Sequence, residues 1–596
     1  SSTCCAASHI PTPFPERLHD ENSRRLHRPG GHPRGHRPDR PGYRPGPRPP
    51  HGLRQGGVAL QGQRGGDSGT RAGRRDAPRA RPLGRGKRTR RALRRGTVRA
   101  DHPLVHRRAD QVLAPDTGCR MSRLAPLSQC LHALRGTFER AIGQAQALDR
   151  PVLVAASFEI DPLDPLQVFG AWDDRQTPCL YWEQPELAFF AWGCALELQG
   201  HGEQRFARIE ENWQLLCADA VVEGPLAPRL CGGFRFDPRG PREEHWQAFA
   251  DASLMLAGIT VLREGERYRV LCQHLAKPGE DALALAAYHC SALLRLRQPA
   301  RRRPSGPTAG AQGDASAQER RQWEAKVSDA VSSVRQGRFG KVVLARTQAR
   351  PLGDIEPWQV IEHLRLQHAD AQLFACRRGN ACFLGASPER LVRIRAGEAL
   401  THALAGTIAR GGDAQEDARL GQALLDSAKD RHEHQLVVEA IRTALEPFSE
   451  VLEIPDAPGL KRLARVQHLN TPIRARLADA GGILRLLQAL HPTPAVGGYP
   501  RSAALDYIRQ HEGMDRGWYA APLGWLDGEG NGDFLVALRS ALLTPGRGYL
   551  FAGCGLVGDS EPAHEYRETC LKLSAMREAL SAIGGLDEVP LQRGVA

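Results

Sequence analysis

The first 120 residues of this chain cannot build a core, which confines whatever folds to the 476 that follow. They hold 26 Arg, one Lys, 15 Pro and 17 Gly against nine acidic residues. So little apolar surface cannot offset the entropy of ordering a chain, and the stretch reads as a disordered leader. The formal net charge of +14 belongs to it, because residues 121–596 carry 54 basic and 58 acidic side chains. An Arg-rich arm can grip nucleic-acid phosphates. A secretory signal needs an apolar core, and none is present. The third reading is a translated upstream region, with translation proper starting at Met121, the first methionine. The Arg-to-Lys ratio favours that third reading, since nucleic-acid arms commonly mix the two. A chain shortened to begin at Met121 is therefore expected to keep full activity.

The body is too long for one minimal domain. It has no run of about 18 apolar residues that would span a membrane. Its cysteines are scattered, with no C-x-x-C pair, and read as reduced thiols of a cytoplasmic protein. A polar, Pro/Gly-rich break at 297–319 separates 121–296 from 320–596. Composition alone suggests two domains.

The back half holds the chemistry. Trp323, Val327, Ala330 and Val334 form one stripe of a helix over 320–338. A β-branched strand follows over 341–346, with Lys341 at its mouth. Residues 371–377 and 381–386 read as a hairpin around Arg378-Gly379-Asn380, leading into Ser387-Pro388-Glu389-Arg390. Residues 402–407 read as a strand running into a glycine turn. Residues 415–445 read as one long helix carrying Asp430 and Glu433, 533–543 as a strand bearing Arg539, and 548–552 as a strand ending in Gly553. Near the C-terminus Glu561, Glu565, Glu568 and Lys572 recur at i, i+4, i+7 and i+11, on one helical face.

Two carboxylate-bearing helices suit Mg²⁺, which takes hard oxygen ligands, if they meet in space. Otherwise they are solvated, salt-bridged faces. Gly553, Gly555 and Gly558 match G-x-G-x-x-G, but no second parallel strand follows, so a dinucleotide fold is excluded. The glycines instead suggest backbone N–H groups approaching a ligand carboxylate at a helix N-terminus.

Eight segments stand in order: KVVLAR (341–346), GASPERL (385–391), ALAGTIARG (403–411), SAKDRHEH (427–434), VQHLNT (466–471), HPTPAVGG (491–498), GNGDFLVALRSA (530–541) and EYRETCLK (565–572). This ordered set resembles the chorismate-utilising enzymes, densely over 320–580 and continuously back to Met121. The resemblance implies an α+β fold of two packed antiparallel sheets flanked by helices. In it 121–296 is the N-terminal half, 297–319 a surface excursion and 320–590 the catalytic region. It also implies Lys341 as base and Glu389 as acid, with His468 near the reacting ring. Gly406, Thr407, Ala495, Arg539, Gly553, Gly555 and Lys572 would line the substrate site. Glu433 and Glu568, with Glu565 beside them, would hold Mg²⁺.

Within the family, three positions separate the branches. Lys341 stands where anthranilate synthases usually carry glutamine, which points to water rather than ammonia as nucleophile and to no amidotransferase partner. Ala405 stands where aminodeoxychorismate synthases often carry a nucleophilic lysine. Ala495 stands where salicylate synthases typically carry threonine, which favours stopping at isochorismate. The chain is most similar to the isochorismate synthases that feed salicylate and pyochelin synthesis in pseudomonads, where a separate isochorismate–pyruvate lyase acts next. Salicylate synthesis on this chain, or nucleic-acid binding through the leader, are the competing readings. Moving a hydroxyl from C4 to C2 needs a base at one face and an acid at the other. The lysine must then be neutral, and the glutamic acid must hold its proton near pH 7.

Overall fold

The computed structural model describes residues 127–172, 174–295, 315–462, 466–478 and 482–584. The leader at 1–120 and most of the 297–319 break lie outside the described residues. The helix expected from 320 begins earlier, spanning Ala315–Arg335.

Two large sheets form the body. The larger has twelve strands, in the order Gly498–Tyr499, Lys341–Pro351, Arg547–Leu556, Ser540–Thr544, Ala381–Ser387, Gln372–Arg378, Cys179–Gln184, Leu187–Trp192, Ile259–Glu264, Arg267–Ala276, Val152–Glu159 and Val221–Glu223. Only its last pair is parallel. The smaller sheet runs Ser449–Glu453, Val466–Leu477, Glu398–Ala409, Arg390–Arg395, Gly532–Val536, Pro522–Asp527, Arg229–Phe234, Ala252–Leu256 and Leu196–Gly200, with Gly459–Arg462 paired to Val466–Leu477. Both sheets draw strands from both sides of the break. Cys179–Gln184 pairs with Gln372–Arg378, and Arg229–Phe234 pairs with Pro522–Asp527.

Burial on both faces explains why the larger sheet reads as apolar runs instead of alternation. In Leu187–Trp192 every residue is buried. Leu187, Phe189 and Ala191 enter the core shared with the smaller sheet. Phe190 and Trp192 enter a second core, roofed by helices that contribute Phe138, Phe169, Val360 and Met576. The period of two puts one strand to work in both cores.

Four local expectations change in the fold. The helix over 415–445 is two helices, Ala414–Asp426 and Ala428–Leu445, broken at Ser427. Ser427 caps the second, its Oγ accepting from the Asp430 N–H at 3.2 Å. The strand over 533–543 is also two, Gly532–Val536 in the smaller sheet and Ser540–Thr544 in the larger. Arg539 sits in the crossing between them at φ +49°. Gly406 is not a turn. It is a bulge at φ +73° inside Glu398–Ala409, where the register against Val466–Leu477 shifts between Ala405 and Thr407. Finally, Arg547–Leu556 continues through Gly553 and Gly555, so these glycines lie in a strand and not at a helix N-terminus. Among the described residues no helix is long and apolar enough to cross a membrane.

Candidate active site

The edge of the larger sheet, the Gly406 bulge and the two carboxylate helices enclose one cavity of about 240 Å³. All thirteen residues named from the resemblance line it: Lys341, Glu389, Gly406, Thr407, Glu433, His468, Ala495, Arg539, Gly553, Gly555, Glu565, Glu568 and Lys572. Eleven of them come from the eight ordered segments and two, Gly553 and Gly555, from the strand Arg547–Leu556 between the last two, over more than 230 residues of chain.

Lys341 opens its strand and is only 2% exposed. Its Nζ donates to Glu433 Oε1 at 2.6 Å. The helix Ala428–Leu445 therefore presents Glu433 directly to the strand mouth. Gly555, across the ladder, makes room for this pair: a Cβ there would meet Lys341 Cε at 3.0 Å and Nζ at 3.4 Å.

Glu389 lies opposite, in the link between Ala381–Ser387 of the larger sheet and Arg390–Arg395 of the smaller. Hydrogen bonds pin this link. The Glu389 N–H donates to Ser387 Oγ at 3.2 Å, the Ser387 hydroxyl donates to Val536 O at 2.5 Å, and the Val536 N–H donates to Glu389 O at 3.0 Å. Burial raises the Glu389 carboxyl to about 7, against the pull of Lys461, Lys341 and Lys572. Desolvation is the cause, with no neighbouring carboxylate involved. A carboxyl poised there is suited to donate a proton near neutral pH.

The helix Pro562–Ala582 carries the second acidic face. Lys572 Nζ donates to Glu568 Oε1 at 2.6 Å and to Gly553 O at 2.9 Å. Burial opposes ionisation of Glu568, but Lys572, with His564 and Arg539, outweighs it and holds the carboxyl below its ordinary value. Glu565 is shifted the other way, by burial and by Glu568. Its Oε2 is buried and has no hydrogen-bond partner among the described residues. His564, Glu565 and Glu568 place ligand atoms within 4.8 Å of one another. Carboxylates from two helices facing one cavity, one with an orphaned oxygen, form a donor set that fits a hard divalent cation.

Arg539 also lines the cavity. No carboxylate pairs with it among the described residues, and burial pulls its guanidinium below the usual value against Tyr519 and Glu568. A partly buried, unpaired guanidinium aimed at a cavity suits a carboxylate ligand. His468 Nδ1 lies 3.2 Å from Gly406 O and 2.9 Å from Thr407 Oγ1. Burial and Arg539 lower it to about 4, so the ring is neutral near pH 7. It is thus both held by the bulge backbone and exposed to the cavity.

Lys429, Arg516, Tyr519 and His564 also line the cavity without having been singled out in the sequence. Arg516 had no readable signal, because its role is to bridge Glu512 with Val496 O and Val343 O in the fold. Tyr519 is 4% exposed and stacks on Phe551.

Residues 139–581 match the family described as chorismate binding enzyme. Isochorismate synthase MenF of Bacillus subtilis (strain 168) is 33% identical over 459 residues, covering 75% of this chain and 96% of that protein. Isochorismate synthase EntC of Escherichia coli (strain K12) is 29% identical over 405 residues, covering 66% of this chain and 93% of that one. The solved structure of MenF, the menaquinone-specific isochorismate synthase from Escherichia coli, has a TM-score of 0.62 at 25% identity, covering 76% of this chain and 100% of that chain. The matched span contains every segment that builds the cavity, and the chain belongs to the chorismate-binding enzymes.

Proposed function

We propose that this enzyme is an isochorismate synthase, converting chorismate to isochorismate by adding water at C2 with loss of the C4 hydroxyl. The observation that carries the reading is a single cavity holding Lys341 and a protonatable Glu389, the latter raised to about 7. The names of the relatives support it. Lys341 takes the proton from the attacking water, and Glu389 gives one to the departing hydroxyl. Arg539 and Lys572 hold substrate carboxylates. Glu433 and Glu568, with Glu565 beside them, hold Mg²⁺, which when bound offsets the charge of a substrate carboxylate. Ala495 leaves the ring without the hydroxyl that the salicylate branch typically supplies, so the reaction stops at isochorismate. The resemblance to the pyochelin branch supports a role ahead of a separate isochorismate–pyruvate lyase.

The test is direct. Purified protein incubated with chorismate and Mg²⁺ should yield isochorismate, and an added lyase should convert that product to salicylate and pyruvate. Salicylate without added lyase would move the enzyme to the salicylate synthase branch. No turnover, with salt-sensitive DNA binding, would favour the Arg-rich leader as the functional element. A strain lacking the gene should need added salicylate to make its siderophore; unaffected siderophore output would detach the enzyme from that pathway.

Gly555→Ala should keep the fold, because this position has ordinary strand geometry, but push Lys341 off its place. A displacement near 1 Å can cost on the order of 10²-fold in rate, so a loss of about ten- to a hundredfold in kcat is expected. Unchanged turnover would show that the lysine position is not critical.

A further inference from the structure

The Gly459–Arg462 strand was not singled out by any motif, yet it carries a lysine into the back of the site. Lys461 is half-buried and pairs in register with His468. Its Nζ donates to Pro388 O at 2.8 Å, the carbonyl immediately before Glu389. No carboxylate lies within ion-pair distance of it among the described residues. It is not among the described residues that line the cavity.

We propose that Lys461 is a positioning residue for Glu389: it fixes the link that carries the acid and sets a positive charge behind it. This rests on the isochorismate synthase reading only for its kinetic consequence. Three cations face the Glu389 carboxyl from three elements: Lys461 from Gly459–Arg462, Lys341 from Lys341–Pro351 and Lys572 from Pro562–Ala582. Lys461 is the largest of the three opposing influences on a carboxyl that burial alone would drive higher. Lys461 itself feels burial and Arg390 on one side, Glu389 and Asp370 on the other. Desolvating Glu389 without this charge would hold its proton so tightly that the reverse step, which needs the carboxylate, would suffer. Lys461 keeps the acid near the midpoint at which it can both give and take a proton.

The test separates charge from tether. Lys461→Gln keeps an N–H donor for Pro388 O and removes the charge; Lys461→Arg keeps the charge. The descending high-pH limb of kcat/KM for chorismate should move up by about one unit in the Gln variant and stay in place in the Arg variant, with KM little changed. A ¹³C-carboxyl titration of Glu389, assigned with Glu389→Gln, reads the same shift without turnover. That readout still decides the proposal if chorismate is not the substrate. If Lys461→Gln fails to fold, Lys461→Met replaces it in the titration. An unmoved Glu389 titration on removing the charge, or an equal shift in Lys461→Arg, would overturn the proposal.

Discussion

Glu389→Gln should lower the chorismate-to-isochorismate rate by about 10²–10⁴-fold while substrate binding is largely kept. The amide fills the same space in the pinned Ser387–Arg390 link but has no proton to give. Lys341→Ala should cause a loss of the same order by removing the proposed base. Each variant should slow the reverse reaction by the same factor as the forward one, because the equilibrium constant is unchanged and the two roles swap in reverse. Measuring both directions checks this, and near wild-type turnover in either variant would remove that residue from the chemistry.

The same carboxyl links rate to pH and stability. In the proposed mechanism the protonated form is the competent acid, so the forward rate should fall as pH rises through about 7, and Glu389→Gln should lack that limb. For stability the sign follows from proton binding. The folded carboxyl keeps its proton to about 7, whereas its ordinary value is 4.5. The folded state therefore binds more protons in that window and loses stability as pH rises through it. Above pH 7 the Gln variant should be the more stable protein, by up to about 3 kcal/mol. Denaturant unfolding at pH 5 and pH 8 reads this; equal stability differences at both would contradict a raised Glu389.

Glu433→Gln and Glu568→Gln should each abolish activity with the fold intact, because each would take a charged ligand from the proposed Mg²⁺, a cation that binds through few protein groups. The structure adds a difference between them. Glu433 is also the partner of Lys341, at 2.6 Å, and Glu568 is the partner of Lys572, also at 2.6 Å. Glu433→Gln thus unpairs the proposed base, and Glu568→Gln unpairs a proposed substrate contact. Calorimetric Mg²⁺ titration should show weakened binding in both. Full activity of the wild type in EDTA would eliminate the metal role.

Local sequence determined much of this protein. The resemblance carried by eight ordered segments, with the glycines at 553 and 555, pointed to the cavity's candidate residues, because proton transfer and carboxylate binding tolerate few side-chain types. The acidic face of Pro562–Ala582 was legible from spacing, since helical periodicity depends only on neighbours along the chain. What the tertiary structure decided depends on which strands lie side by side. The Gly406 bulge exists because Glu398–Ala409 must match Val466–Leu477 with one residue to spare. Arg539 reaches the cavity because the chain crosses from one sheet to the other there, which a continuous apolar run could not reveal. Gly553 and Gly555 read as the end of a strand at a helix N-terminus, and lie inside the strand because Lys341–Pro351 pairs with them. Lys461 carried no signal at all: its place behind Glu389 comes from a short strand pairing beside His468, a contact made only when distant segments close on one another.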